Sequence, residues 1–113
     1  MDKLTNYRNL IKGILSEYVE LSNGQPQQGI ESILIIDEAR GHYMWLKLGG
    51  GGGKRAKYLT VYVRLREAKF WIEEDWTEDR IATDLGREGV PKEDIVLACQ
   101  DPETRRHTDF AAA

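Results

Sequence analysis

Among the 113 residues there is one cysteine, Cys99, and there are only two histidines, His42 and His107. A lone thiol cannot close an internal disulfide, which fits a reducing, cytoplasmic setting. Cys99 follows the apolar run Ile95 to Ala98 and is expected as a buried thiol, since reactivity or metal binding would need His or carboxylate neighbours that the local sequence lacks. Two histidines without an HxxxH spacing or a cysteine pair argue against a structural metal. Neither has a serine, cysteine or carboxylate at motif spacing, so no nucleophile–base set is legible. No run approaches the roughly 18 apolar residues of a membrane span. Met1-Asp2-Lys3-Leu4 has no uninterrupted apolar core, so no signal peptide is expected. A positive excess is also missing. The net charge is −3 and the pI about 5.4, which excludes broad, sequence-independent binding of phosphate backbone. Any DNA contact is expected to be weak and salt-sensitive.

What is present is enough for one domain spanning residues 1–113. Hydrophobic residues make up 41% and charged residues 31% of the chain, the balance of a folding domain with a real core. Leu4, Tyr7, Ile11, Ile14, Leu15, Tyr18 and Leu21 recur at spacings of three and four, so a helix capped by Asp2 is predicted to about Leu21. Ser22 to Gly29 is a loop. Ile30 to Asp37 is a strand whose run Ile33-Leu34-Ile35-Ile36 is apolar on both faces. Asp37 to Gly41 turns the chain into His42–Leu48, with Met44, Leu46 and Leu48 on the core side and Tyr43, Trp45 and Lys47 opposite.

Gly49 to Gly53 are five consecutive glycines, followed by Lys54-Arg55-Ala56-Lys57. A strand comes next, not a helix, so the run reads as a hairpin connection and not a phosphate loop. The basic cluster is a solvated loop tip or a contact with nucleic acid or an acidic partner.

From Tyr58 to Leu65 the alternation is strict, with Leu59, Val61, Val63 and Leu65 inward. Glu67-Ala68 turns into Phe70–Glu73. Thr77 is read as the N-cap of a helix to Glu88, with Glu78 and Asp79 in its first turn and Gly89 and Pro91 ending it. Pro91 to Asp94 forms one turn before a strand at Ile95, which a right-handed crossover makes parallel to the Phe70 strand. Asp101 and Pro102 open a last short helix, and Phe110 docks on the body. The fold is therefore α+β: an N-terminal helix packed on a mainly antiparallel sheet of about five strands, with a second, crossover helix. Leu59, Val61, Val63, Trp71, Ile81, Leu85, Ile95 and Leu97 are the expected core.

Two features bear on function. The acidic run Glu73-Glu74-Asp75 lies before a helix start, where it could bind a cation, sit at an interface, or be a solvated strand end. Trp76 beside it is either a partner-binding anchor, because large aromatics carry interface energy, or a cover on the core edge. Self-association as a symmetric dimer is also expected. The second sheet face, read as carrying Tyr43, Trp45, Tyr58 and Tyr62, has no helix left to cover it unless the Asn23–Gly29 loop and the C-terminal tail do so.

The segments Phe70–Glu78, Ile81-Ala82, Gly89-Val90-Pro91-Lys92-Glu93-Asp94-Ile95-Val96-Leu97, Pro102–Arg105 and Thr108–Ala111, with the opening Met1–Leu4 and Tyr7-Arg8, resemble the XisI family of fdxN element excision controlling factors. The resemblance spans nearly the whole chain. It implies a small α+β protein without catalytic residues, cofactor or metal of its own. Such a protein would act with an XisH-like protein, and through it with a recombinase complex, to control excision of a DNA element. Asp75, Trp76, Arg55 and Arg105 are then the candidate partner-binding residues. The alternative is a small-molecule-binding or enzymatic domain using the cleft around Asp75. This chain departs from the family's pattern at six places: Gly50 stands for Trp, Tyr62 and Arg64 for His and Asp, Ala68 and Trp76 for Gly, and Gln100 for His.

Overall fold

The computed structural model describes residues 2–24, 29–50, 56–78 and 80–113. Helix α1 runs from Lys3 to Gly24, about a turn past the predicted end. Asp2 opens it, its Oδ1 accepting the Thr5 N–H at 2.7 Å. Tyr7, Ile11, Ile14 and Leu15 are buried as the stripe requires, whereas Leu4 and Leu21, at the stripe's ends, are exposed.

Strands β1 (Ile30–Asp37), β2 (His42–Gly49), β3 (Ala56–Arg66), β4 (Lys69–Asp75) and β5 (Ile95–Val96) form one sheet in the order β1-β2-β3-β4-β5. The first three pairings are antiparallel. Strand β5 lies parallel to β4, with Ile95 opposite Phe70, as a crossover through a helix demands. The fold class is the one expected from the sequence. Gly41 in the β1–β2 turn has φ +75°, and a side chain there would strike the Leu65 carbonyl 2.4 Å away, so only glycine fits.

Helix α2 spans Arg80–Arg87 and buries Ile81, Ala82 and Leu85. It starts three residues later than predicted. Thr77 is not its N-cap: the Thr77 N–H and hydroxyl both go to the Asp75 carboxylate, and Glu78 takes φ +62°, which no helix interior accepts. The sequence signal was a local turn of an Asp side chain rather than a cap. Asp79, also placed in that first turn, lies outside the described residues. A short 3₁₀ turn at Lys92–Asp94 leads into β5, and α3 covers Pro102–Arg106 with Asp101 as N-cap.

Directly opposed residues share a sheet face, so the register decides what each face carries. Tyr43 is opposite Val63 and Trp45 opposite Val61; all four are buried, with Leu65, Phe70 and Ile72, against α1 and α2. The expected orientation of β2 is therefore inverted. Tyr43 and Trp45 point to the helices, and Met44, Leu46 and Leu48 point away. The reason is packing: the Tyr18 ring of α1 stacks on Trp45 at 5.7 Å, an interaction that sequence alternation cannot weigh. Strand β3 keeps Val61, Val63 and Leu65 inward but carries an extra residue at Thr60, between the partners of Trp45 and Leu46. This bulge turns Thr60 inward, where it is buried, and places Leu59 beside Leu46 on the far face. A second bulge puts Glu73 between the partners of Tyr62 and Val63. Leu59, turned by the first bulge, and Trp71, opposite Arg64 on the far face, are half-buried rather than core.

The β3–β4 hairpin turns on Glu67 and Ala68, with φ +56° and +58°. Both lie in the left-handed region, which costs a non-glycine residue about 1–2 kcal/mol, in the two-residue loop geometry where glycine is preferred. Ala68→Gly is expected to raise stability by about 1 kcal/mol. Urea unfolding checks this as a higher midpoint at unchanged m-value.

Candidate partner-binding surface

Among the described residues no helix packs on the far sheet face. It carries Ile33 and Ile35 of β1, Met44, Leu46 and Leu48 of β2, Leu59 and Tyr62 of β3, and Trp71 of β4. All are half-buried except Ile35, which is 41% exposed. The Tyr62 hydroxyl meets His42 Nδ1 at 2.8 Å, and Arg64 pairs with Glu73 at 3.7 Å. These polar groups rim an apolar centre, which is how binding surfaces are built. Among the described residues the far face is uncovered, with residues other than those expected: Tyr43 and Trp45 left it when β2 turned over, and Met44, Leu46, Leu48 and Leu59 took their place. Of the Asn23–Gly29 loop that could cover it, residues 25–28 lie outside the described residues. The C-terminal tail does not cover it, because Ala111 lies alongside Val96 at the β5 edge.

At one end the face runs into a cleft of about 530 Å³ lined by Lys47, Lys57, Tyr58, Leu59, Thr60, Glu74 and Trp76. It forms because β4 ends at Asp75, opposite Val61, and leaves the first residues of β3 unpaired on that side. The chain is held there by the Trp76 N–H donating to the Thr60 carbonyl at 2.9 Å. Trp76 is 75% exposed and its indole N–H donates to Glu74 at 2.8 Å. Exposure to this degree means that Trp76 does not cover the core edge. Tyr58, 55% exposed, adds a second aromatic, and Lys47 and Lys57 make the cleft positive.

The four candidate residues do not converge. Asp75 and Trp76 adjoin the cleft. Arg105 does not: its guanidinium donates to the Gln100 carbonyl at 2.8 Å and the Ala112 carbonyl at 2.9 Å, tying down the C-terminal segment. Arg55 and Lys54 lie outside the described residues. Lys47 was missed, whereas Lys57 and Tyr58 were singled out separately, Lys57 in the basic cluster and Tyr58 on the second sheet face, without being joined to Trp76.

Asp75 turns inward opposite Val61. Its Oδ1 holds Thr77, while its Oδ2 is buried with no hydrogen-bond partner among the described residues. Asp75, Glu74, Trp76 and Cys99 line a smaller hollow of about 230 Å³. Cys99 is exposed, not buried as expected, because β5 ends at Val96 and the chain bends outward, with the Cys99 N–H donating to the Ile72 carbonyl at 2.9 Å. Among the described residues no group of three His, Cys, Asp or Glu side chains is placed to hold a metal ion. No helix among them is long and apolar enough to cross a membrane.

The whole-chain comparison decides which class of protein presents this surface. The family model described as XisI protein matches residues 1–112. The chain belongs to the XisI family. Among solved structures, a XisI-like protein from Anabaena variabilis is 34% identical with a TM-score of 0.88, covering 97% of this chain and 99% of its own. The fdxN element excision controlling factor XisI of the same organism is 41% identical with a TM-score of 0.87, covering 99% of this chain and 100% of its own. A comparison with curated proteins finds no match. In this XisI-family chain Tyr62 and Arg64 lie on the uncovered face and Trp76 at its cleft.

Proposed function

We propose that this chain is a non-enzymatic accessory factor that controls excision of a DNA element by binding a partner protein of the XisH type. Membership of the XisI family and 41% identity to an fdxN element excision controlling factor support the excision role. The observation that carries the mode of action is the mostly exposed Trp76 at the end of an apolar sheet face that the described residues leave uncovered. DNA is contacted weakly or through the partner, in keeping with a net charge of −3, and the site of action is the cytoplasm.

Titration calorimetry against the XisH-like protein from the same genome tests this. Trp76→Ala is expected to weaken binding by about 30-fold, the 2 kcal/mol of an interface hot spot, with an unchanged melting temperature because Trp76 is outside the core. Failure of the wild-type chain to bind at micromolar concentration would overturn the proposal. The unpartnered Asp75 Oδ2 beside Cys99 favours a second reading, a small hydrogen-bond-donating ligand in that hollow. A thermal-shift screen that finds a stabiliser lost with Asp75→Asn would select it.

A further inference from the structure

The two edges of the sheet are finished differently. The β5 edge is closed by the tail: Ala111 bridges Val96, and its N–H reaches the Ile95 carbonyl at 2.9 Å. Strand β1 is the other edge, eight residues long. Its central run Ile33-Leu34-Ile35-Ile36 has no proline, glycine or charge, and its pairing with β2 shows no bulge. These are the devices that normally blunt an edge.

One device is present, and it is local. The Asn23 side chain at the end of α1 accepts the Ser32 N–H at 2.9 Å and donates to the Ser32 carbonyl at 3.0 Å. Both backbone groups of Ser32 therefore face away from β2. Along a strand this direction alternates, so Leu34 and Ile36 also present N–H and C=O outward. Neither has such a side-chain partner among the described residues. The open part of the edge is one short stretch centred on Ile35.

We infer that two copies of this chain pair antiparallel through β1, with the two-fold axis at Ile35. In this register Leu34 of each copy is opposite Ile36 of the other, and four backbone hydrogen bonds close all the outward groups of both residues. Shifting the axis to residue 34 sets Ile36 against Ser32, whose groups Asn23 already holds. Shifting it to residue 36 sets Leu34 against Glu38, beyond the strand. The stretch thus complements itself in one register, as an isologous contact requires. It also covers Ile35 and Ile36, which are 41% and 37% exposed in one copy. The product is a continuous sheet of ten strands, twice the five of one chain. The uncovered faces of both copies lie side by side in it. The pairing does not depend on the excision role.

Sedimentation equilibrium at about 50 µM, well above the Kd expected of a specific pair, is expected to give twice the 12.9 kDa chain mass. Ile35→Glu, which opposes two carboxylates across the axis, is expected to halve that mass, with circular dichroism reporting the fold. Independently, Ile35 faces its own copy at a non-hydrogen-bonded position, about 4.5 Å between Cα atoms. The double variant Ile35→Cys, Cys99→Ser is therefore expected to form a covalent dimer on mild oxidation. Ile33→Cys, Cys99→Ser, which opposes Asp37, is not. A wild-type monomer at that concentration would overturn the inference. So would a folded Ile35→Glu variant that stays dimeric, or a dimer in which Ile35→Cys fails to cross-link.

Discussion

Trp45→Ala is expected to cost about 3–5 kcal/mol, the range for removing a large buried aromatic, while Met44→Ala costs below about 1 kcal/mol. The two residues are neighbours in β2, and the contrast comes only from which face each occupies. Trp45 is 6% exposed and stacks on Tyr18; Met44 lies on the face without a helix. Trp45→Phe is expected to cost less than Trp45→Ala, since it keeps a ring in the site and removes an indole N–H that has no acceptor among the described residues. Urea unfolding of the variants reads the difference directly. Equal losses, or a larger loss for Met44, would restore the opposite orientation of the strand.

Loss of the Asp94 carboxylate is expected to be almost as damaging, at about 2–3 kcal/mol for Asp94→Ala, because it strands a buried hydroxyl and removes a charge-assisted bond. Asp94 is buried before β5. Its Oδ2 accepts the Tyr7 hydroxyl at 2.6 Å and pairs with Lys3 at 2.8 Å, joining α1 to the crossover. Burial by itself would raise the pKa of the carboxyl, but the Lys3 ammonium and the Tyr7 hydroxyl outweigh it and hold it below the ordinary carboxylate value. A carboxyl depressed in the folded state stabilises above its unfolded pKa, and that stability is lost as pH falls through the folded value. The loss should therefore appear below about pH 4 in the wild type and be smaller in Asp94→Asn, where the other depressed carboxyls, Asp2, Glu38 and Asp101, remain. The alkaline limb has the opposite sign. Burial, and then the bond to Asp84, push Tyr18 up to about 12. Unfolded tyrosine ionises near pH 10, so stability from Tyr18 is lost from there upward. Melting temperatures across pH 3–11 check both limbs, and Tyr18→Phe should flatten the upper one.

Much of this was legible in the residues. The α1 stripe shows a single apolar face, so its buried residues follow from period alone. The crossover from β4 to β5 allows one hand and one pairing direction. Other features were not legible, for particular reasons. In His42–Leu48 both alternate sets, Tyr43 with Trp45 and Met44 with Leu46 and Leu48, are apolar, so period two could not say which faces the helices. The Thr60 bulge is invisible in Tyr58–Leu65 because an alternating sequence does not record how its partner counts residues. Thr77 has the chemistry of an N-cap, but Asp75 had the better claim on it. Of the candidate site, Trp76 stood out as a large aromatic in a turn. Lys47 did not, and Lys57 and Tyr58 stood out only apart from it, because what joins the three to Trp76 is the early end of β4.

By itself the sequence determined the element order, the α+β class and the inward set of α1. These follow from local period and turn chemistry, where each residue's neighbours in the chain are its neighbours in space. Through the match over residues 1–112 it also determined membership of the XisI family. The tertiary structure alone decided which face of β2 is core, where β3 bulges, that Arg105 holds the tail, and that Asn23 closes the β1 edge at Ser32. Each is a contact between residues far apart in the chain. Each was settled by competition for the same burial or the same hydrogen bond, which no single segment carries.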